Sequence, residues 1–202
     1  NAAAAGGVTS LVTRPDTKPS IDTPELLEFF KNRGNEVSEV RIFPTASLTK
    51  KNNGKNIKEI GFLHDGGAVG FTDGFNSIPV TKIFHQILKY ASDFNTLIIG
   101  HPQDHFLTKD TSATNGVFAS IKGISSGPDT AEKIGAERDI ALVSDLNIRY
   151  HADQITTKIG LDVLRKAKVT NKQLTAGTSI HHILFNELDI GNYRTFFKLK
   201  PP

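Results

Sequence analysis

The sequence predicts an α/β fold in which six βα units follow one another along the chain. Strand and helix signals alternate over the 202 residues, and the predicted strands stand at intervals typical of parallel crossovers. Polar side chains gather at the C-terminal ends of the predicted strands, namely Arg14, Asp16, Asp73, His101, Asp153, Gln154, His181 and His182. Active sites of parallel α/β barrels are built at that end, so the pattern favours a barrel.

The first three units occupy the first half of the chain. Residues 8–13 are rich in β-branched side chains and predict a strand. Thr23 supplies a cap, Pro24 an early helical proline and Glu25 a first-turn acid, so a helix is expected to begin there. The other elements predicted in this half are a strand at 36–43, a short helix at 57–63, a buried strand at 68–73 and a helix at 80–90.

The second half repeats the pattern around one break. Residues 102–128 carry three glycines and Pro128, and they predict a long loop. Asp129 or Thr130 then caps a helix that runs to about residue 142. The remaining predicted elements are strands at 96–101, 147–153 and 173–179 and a helix at 157–167.

A closed barrel of this kind needs eight strands, and six are predicted. The chain opens on an Ala run followed by Gly6-Gly7 and stops at Pro201-Pro202, so both ends look cut from inside a larger fold. We therefore expect residues 1–202 to form one partial (β/α) barrel domain without strands 1 and 8. An open doubly wound sheet is the alternative, although no Gly-x-Gly-x-x-Gly follows the first strand.

Composition excludes several classes of function. Cysteine is absent, which excludes disulfide scaffolds, thiolate metal sites and cysteine nucleophiles. The net charge of +3, without a run of five basic residues, gives no reason to expect nucleic-acid binding. No apolar stretch approaches the length of a membrane span. A soluble, cytoplasmic protein is the expectation.

Several segments together resemble one family. The sequence Arg14-Pro15-Asp16-Thr17 is similar to a Met-Pro-Asn-Thr motif, and His101-Pro102-Gln103-Asp104 is similar to His-x-Glu-Asp. Similar matches, in the same order and spacing, occur at residues 68–73, 150–157, 175–184 and 197–202. The series resembles the class I dihydroorotases over essentially the whole chain.

The resemblance implies a TIM-type (β/α)8 metal-dependent amidohydrolase barrel, here truncated to about strands 2–7. Members of the family interconvert N-carbamoyl-L-aspartate and dihydroorotate in de novo pyrimidine synthesis, with a zinc pair that activates water. Their ligands are a His-x-His after strand 1, a bridging acid after strand 4, one His after each of strands 5 and 6, and a strand-8 Asp.

Carried over position by position, the resemblance leaves few of these groups. The strand-5 ligand falls on His101, the strand-6 ligand on Gln154 and the bridging acid on Gly74, with Asp73 beside it. A neutral Gln amide is a poor zinc ligand beside imidazole. Two substrate-binding Asn positions become charged, at Asp16 and at Lys200.

These departures predict a degenerate, non-catalytic dihydroorotase homologue that binds no zinc and acts as a structural partner of aspartate carbamoyltransferase. The alternative is an active zinc-dependent dihydroorotase in which Asp73 bridges the metals. A third hypothesis is an unrelated α/β binding domain. An incomplete barrel leaves unpaired edges, so we also expect an oligomer.

Overall fold

The computed structural model describes all residues, 1–202, and has alternating helices and strands. The α-helices are α1 (Ala2–Ala5), α2 (Pro24–Val37), α3 (Ile60–Asp65), α4 (Thr81–Ser92), α5 (Val117–Lys122), α6 (Thr130–Asp145), α7 (Lys158–Thr170) and α8 (Ile180–Leu184). The strands are β1 (Ser10–Thr13), β2 (Arg41–Pro44), β3 (Leu97–Gly100), β4 (Ala113–Thr114), β5 (Ser126–Gly127), β6 (Arg149–Ala152) and β7 (Leu174–Ala176). Short 3-10 helices lie at Lys50–Asn52, Glu187–Ile190 and Thr195–Phe197. None of the helices combines the length and the apolar character that a membrane span requires.

The chain divides into two compact units. The first contains residues 1–99 and 146–149, and the second contains residues 100–145 and 150–202.

Parallel pairing in chain order organises the first unit. Strands β1 and β2 pair in parallel, with Ser10 opposite Arg41. Single parallel bridges then join Ala46 to Phe71 and Phe71 to Ile98 in β3. Four successive segments are therefore linked side by side, as the predicted βα units require.

The second unit has the same parallel pairing. Strand β6 pairs with β7, with Tyr150 opposite Leu174, and the short strands β4 and β5 pair in parallel as well. Helices α6 and α7 pack against each other beside these strands. The chain is thus a partial α/β structure with parallel strands, which is consistent with a truncated barrel.

One helix begins at the cap that the sequence predicted, and a second has a cap of the same kind. The Thr23 side chain accepts a hydrogen bond from the Leu26 amide at 3.4 Å, and Pro24 occupies the first helical turn of α2. Thr157 likewise accepts from the Gly160 amide at 3.0 Å at the start of α7. Both expected helices are confirmed.

Three predicted boundaries in the first unit are wrong. The strand expected at 36–43 begins only at Arg41, because α2 continues through Val37. The helix expected at 57–63 begins at Ile60, because Ile57 forms an antiparallel bridge with Thr49 instead. The buried strand expected at 68–73 makes its ladder only at Phe71, whose amide donates to the Leu97 carbonyl.

The prediction of a long loop at 102–128 is also wrong. It contains the paired strands β4 and β5, with helix α5 between them. Gly123 ends α5 in a left-handed conformation, with φ of +63°, which is the usual role of glycine at a helix C-terminus. Two-residue strands carry no periodicity, so sequence patterns do not reveal them.

Candidate functional site

Asp73 is held by the backbone and side chain of Thr49. The Thr49 amide donates to Asp73 Oδ1 at 2.9 Å, and the Thr49 hydroxyl donates to Asp73 Oδ2. The same hydroxyl oxygen accepts from the Gly54 amide at 2.8 Å. Asp73 and Thr49 are both buried. Both carboxylate oxygens of Asp73 therefore hold the loop that follows Ala46 through hydrogen bonds that are shielded from solvent.

Burial dominates the electrostatics of this carboxyl group. Desolvation raises the pKa of Asp73 from 3.8 to about 6, while the hydrogen bonds from Thr49 oppose the rise. The hydrogen bonds that oppose the rise come from neutral groups. The group is therefore a buried acid supported by neutral donors.

An ion pair lies beside Asp73 in the first unit. Arg14 contacts Asp16 through two hydrogen bonds, Nε to Oδ1 at 3.1 Å and Nη2 to Oδ2 at 2.7 Å. The guanidinium carbon lies 3.3 Å from the centroid of the Phe75 ring. Gly74 has a φ of +68°, and a Cβ there would lie 2.6 Å from Arg14 Nη2. The position where the resemblance places a bridging acid is therefore packed against an Arg–Asp pair.

In the second unit, His101 follows β3 and is 5% exposed. The adjacent Gln103 donates from Nε2 to Glu132 at 3.0 Å. Glu132 is fully enclosed and also accepts hydrogen bonds from the amides and hydroxyls of Thr156 and Thr157, at 2.7 to 3.0 Å. The Glu132 carboxylate therefore ties the segment after β3 to the start of α7.

Gln154 stands where strand β6 ends. Its φ is +60°, a left-handed conformation uncommon for residues other than glycine. Its side chain makes only a long contact, 3.5 Å, with Asp153 Oδ1. Burial lowers the pKa of the neighbouring His151, and the Asp153 carboxylate partly offsets that effect. His151 Nδ1 lies 2.8 Å from the Thr175 hydroxyl.

C-terminal residues, together with residues 112–114 and Thr156, line an open cavity of about 180 Å³ in the second unit. His182 lines it, with Nδ1 2.7 Å from the Ser179 hydroxyl and Nε2 3.0 Å from the Pro201 carbonyl. Because a carbonyl only accepts, Nε2 donates a hydrogen bond to the Pro201 carbonyl. Lys200 is exposed to solvent. His182 thus joins helix α8 to the C-terminal segment.

Zinc, which the resemblance implies, does not fit these side chains. Asp73 is engaged by Thr49, and Gln154 offers only a neutral amide. Across residues 1–202, no group of three or more His, Asp or Glu side chains is arranged to hold a metal ion. His101 has no such set of co-ligands.

Sequence reasoning missed two residues that organise these surroundings. Thr49 and Glu132 are polar residues that become buried anchors. A first-turn acid is an ordinary helix-start signal, so Glu132 carried a hint but nothing that predicted its burial. Asp73, which Thr49 holds, lies 24 positions from it, and the partners of Glu132 lie 24 to 29 positions away, beyond any local pattern.

Comparison with known proteins gives a consistent result. A sequence model of the dihydro-orotase-like family matches residues 1–160. The dihydroorotase of Bacillus licheniformis is 33% identical over 201 residues, which is 100% of this chain and 47% of that protein. A dihydroorotase-like protein of Pseudomonas putida is 30% identical over the same length, again 47% of that protein. The chain therefore spans about half the length of the curated relatives it matches.

Comparison with solved structures shows a likeness in fold. The L-hydantoinase (dihydropyrimidinase) from Arthrobacter aurescens superposes with a TM-score of 0.82 at 17% identity. The match covers 99% of this chain and 46% of that one. At this identity the likeness concerns the fold alone, and it agrees with the successive parallel strands described above.

Proposed function

The chain belongs to the dihydroorotase-like family, and on that premise we propose that it is a non-catalytic, structural member of the family in pyrimidine biosynthesis. Its parallel strands correspond in this proposal to strands 2–7 of a TIM-type (β/α)8 barrel. The role is a cytoplasmic one, exercised through a partner protein. The chain contributes a scaffold surface and no zinc chemistry.

The observation that carries the proposal is the fastening of Asp73 by Thr49. A carboxylate that bridges two metal ions must present both oxygens to them. Here one oxygen accepts the Thr49 amide and the other accepts the Thr49 hydroxyl, in a buried environment. Freeing these oxygens would leave the buried N–H and the buried O–H of Thr49 without acceptors, which costs about 1–3 kcal/mol for each donor.

The neighbouring positions support the same conclusion. Gly74 has no ligand atom, and the Arg14 guanidinium lies directly against it. The guanidinium is paired with Asp16, and a side chain at position 74 would have its Cβ only 2.6 Å from Arg14 Nη2. Gln154 replaces an imidazole with a neutral amide, so the second unit loses a strong ligand as well.

Zinc content and turnover of the purified protein test the absence of chemistry. We expect no stoichiometric zinc by elemental analysis after purification with added zinc, and no hydrolysis of dihydroorotate. Two zinc ions per chain, with turnover that Asp73→Asn abolishes, would establish the active alternative. Asp162→Asn, at an exposed position on α7, is the matched control for a carboxyl change that touches no candidate ligand.

The proposed partner is aspartate carbamoyltransferase. A scaffold homologue without chemistry is useful only through its surface, and several large apolar side chains of the second unit are exposed, among them Ile183 at 70% and Phe196 at 77%. We expect the protein to elute on its own as an oligomer and, mixed with the transferase of the same organism, in one larger peak. Separate peaks at micromolar concentrations would contradict the partnership.

A further inference from the structure

We propose that Asn115 is a site of spontaneous deamidation in the folded protein, where it converts to aspartate and isoaspartate. The proposal concerns the second unit and does not depend on the scaffold role. It starts from the two places where asparagine precedes glycine, Asn53-Gly54 and Asn115-Gly116. Asparagine is thermolabile, and a following glycine leaves its own amide nitrogen unhindered because it has no side chain. The two pairs share this local chemistry, so the fold decides which of them reacts.

The reaction needs only the chain and water. A base removes the proton of the Gly116 amide nitrogen, and the nitrogen attacks Cγ of the Asn115 side chain and expels ammonia, which leaves a cyclic succinimide. Water then opens the ring at either carbonyl. Opening at the former side-chain carbonyl gives aspartate, and opening at the main-chain carbonyl gives isoaspartate, whose backbone continues through the side chain. Overall, water is consumed and ammonia is released, and no oxidant or cofactor takes part.

The fold leaves the reacting groups of Asn115 and Gly116 free. Asn115 is exposed, and its Oδ1 accepts a long hydrogen bond, 3.5 Å, from the Ser126 hydroxyl. Gly116 is partly exposed, and its carbonyl accepts from the Ser120 amide, whereas its own N–H donates to no other group. Neither the attacking nitrogen nor the side-chain amide must therefore leave a strong contact before the ring closes.

The opposite holds at Asn53-Gly54. The Gly54 N–H is buried and donates to the Thr49 hydroxyl at 2.8 Å. Asn53 Oδ1 accepts from the amides of Lys55 at 2.9 Å and Asn56 at 3.3 Å, which holds the side chain against the residues that follow it. Ring closure at Asn53 requires a local opening that breaks these hydrogen bonds, so its rate falls in proportion to the population of the open form.

Isoaspartate at position 115 lengthens the backbone between β4 and α5. The chain is held on both sides of this point. The Asn115 amide donates to the Gly127 carbonyl at 2.9 Å, and the Lys122 carbonyl at the end of α5 accepts from the Tyr193 hydroxyl at 2.6 Å. An extra methylene between these contacts must strain or break one of them. The modification therefore displaces, as the protein ages, a helix whose apolar Val117 is exposed.

Incubation of the purified full chain in mildly alkaline buffer, followed by peptide mapping with mass spectrometry, tests the proposal. Replacement of the side-chain amide nitrogen by oxygen is measured at Asn53 and at Asn115. Isoaspartate is quantified by methyl transfer from S-adenosylmethionine with an isoaspartyl methyltransferase. We expect Asn115 to react at least about tenfold faster than Asn53 in the folded protein, which corresponds to about 1.4 kcal/mol for the opening at Asn53. In guanidinium chloride the two rates should agree within a factor of about two, because the unfolded chain protects neither pair.

Two variants separate this chemistry from other causes. Gly116→Ala should slow the reaction at Asn115 by about tenfold, because a methyl group hinders the attacking nitrogen. The fold accommodates this change, since the backbone is extended there, with φ of 177°, and the added Cβ would meet only Glu187 Oε1, at 3.9 Å. Ser126→Ala is the control and should leave the rate unchanged within a factor of about two, because its contact with Asn115 is too long to hold the side chain.

Equal rates at Asn53 and Asn115 in the folded protein, or a faster reaction at Asn53, would overturn the proposal. Modification of Asn115 in guanidinium chloride but not in the folded protein would overturn it as well. An unchanged rate in Gly116→Ala would show that the Gly116 nitrogen does not attack the side chain and would exclude the succinimide route.

Discussion

Replacing Asp73 by Asn removes a buried carboxyl group whose titration should leave a measurable mark on stability. Burial raises the pKa of Asp73 from 3.8 to about 6 in the folded chain. Between these values the folded state binds the proton more tightly than the unfolded state does. Stability must therefore fall as the pH rises through this window, because the unfolded state then binds fewer protons than the native state.

The size of the effect follows from the shift. One pKa unit corresponds to about 1.4 kcal/mol, and the shift is about two units. The contribution of Asp73 is therefore fully present below pH 4, declines between about pH 4 and pH 6, and has lost about 3 kcal/mol above that range. Asn does not titrate, so Asp73→Asn should lack this decline.

Urea unfolding, followed by circular dichroism at several pH values between 4 and 7.5, measures the difference. The informative quantity is the unfolding free energy of the original protein minus that of Asp73→Asn, since other titrating groups cancel. We expect this difference to fall by about 3 kcal/mol from the acid to the neutral end. Asp162→Asn should leave the pH profile unchanged. Parallel curves for the original protein and Asp73→Asn would refute the assignment of a raised pKa.

Two further predictions concern buried contacts in the second unit. Glu132→Ala leaves several buried amide and hydroxyl donors without an acceptor and should lower the unfolding free energy by at least about 3 kcal/mol. Glu137→Ala, at an exposed position on the same helix, should change it by less than about 0.5 kcal/mol. Equal thermal shifts of the two variants would contradict the anchoring role of Glu132. Gly100→Ala would place a Cβ 2.0 Å from the Tyr150 hydroxyl and should lower the unfolding free energy by about 1–3 kcal/mol or more. Gly6→Ala has no neighbour closer than 3.5 Å, so urea unfolding should show a nearly unchanged free energy for this control.

Local sequence patterns determined much of the framework. Thr23 with Pro24 marked the start of α2, because a cap satisfies amides only a few residues away. The helical spacing of apolar residues predicted α4, because that spacing is also a local pattern. The family could also be recognised from the order of short motifs, since each motif is contiguous in the chain. The strand at 68–73 and the loop at 102–128 were misjudged, because single bridges and two-residue strands leave no period to read.

The contacts within the candidate site could not be predicted from local patterns. The sequence alone determined which residue types stand at the positions to which the family resemblance assigns metal ligands and substrate contacts, including Gly74, Gln154 and Asp16. Only the tertiary structure decided what those residues do: Thr49 holds both oxygens of Asp73, and Arg14 lies against Gly74 with its charge on Asp16. The physical reason is distance along the chain. Hydrogen bonds and close approaches between residues 24 to 60 positions apart depend on how the segments pack, and no local pattern encodes them.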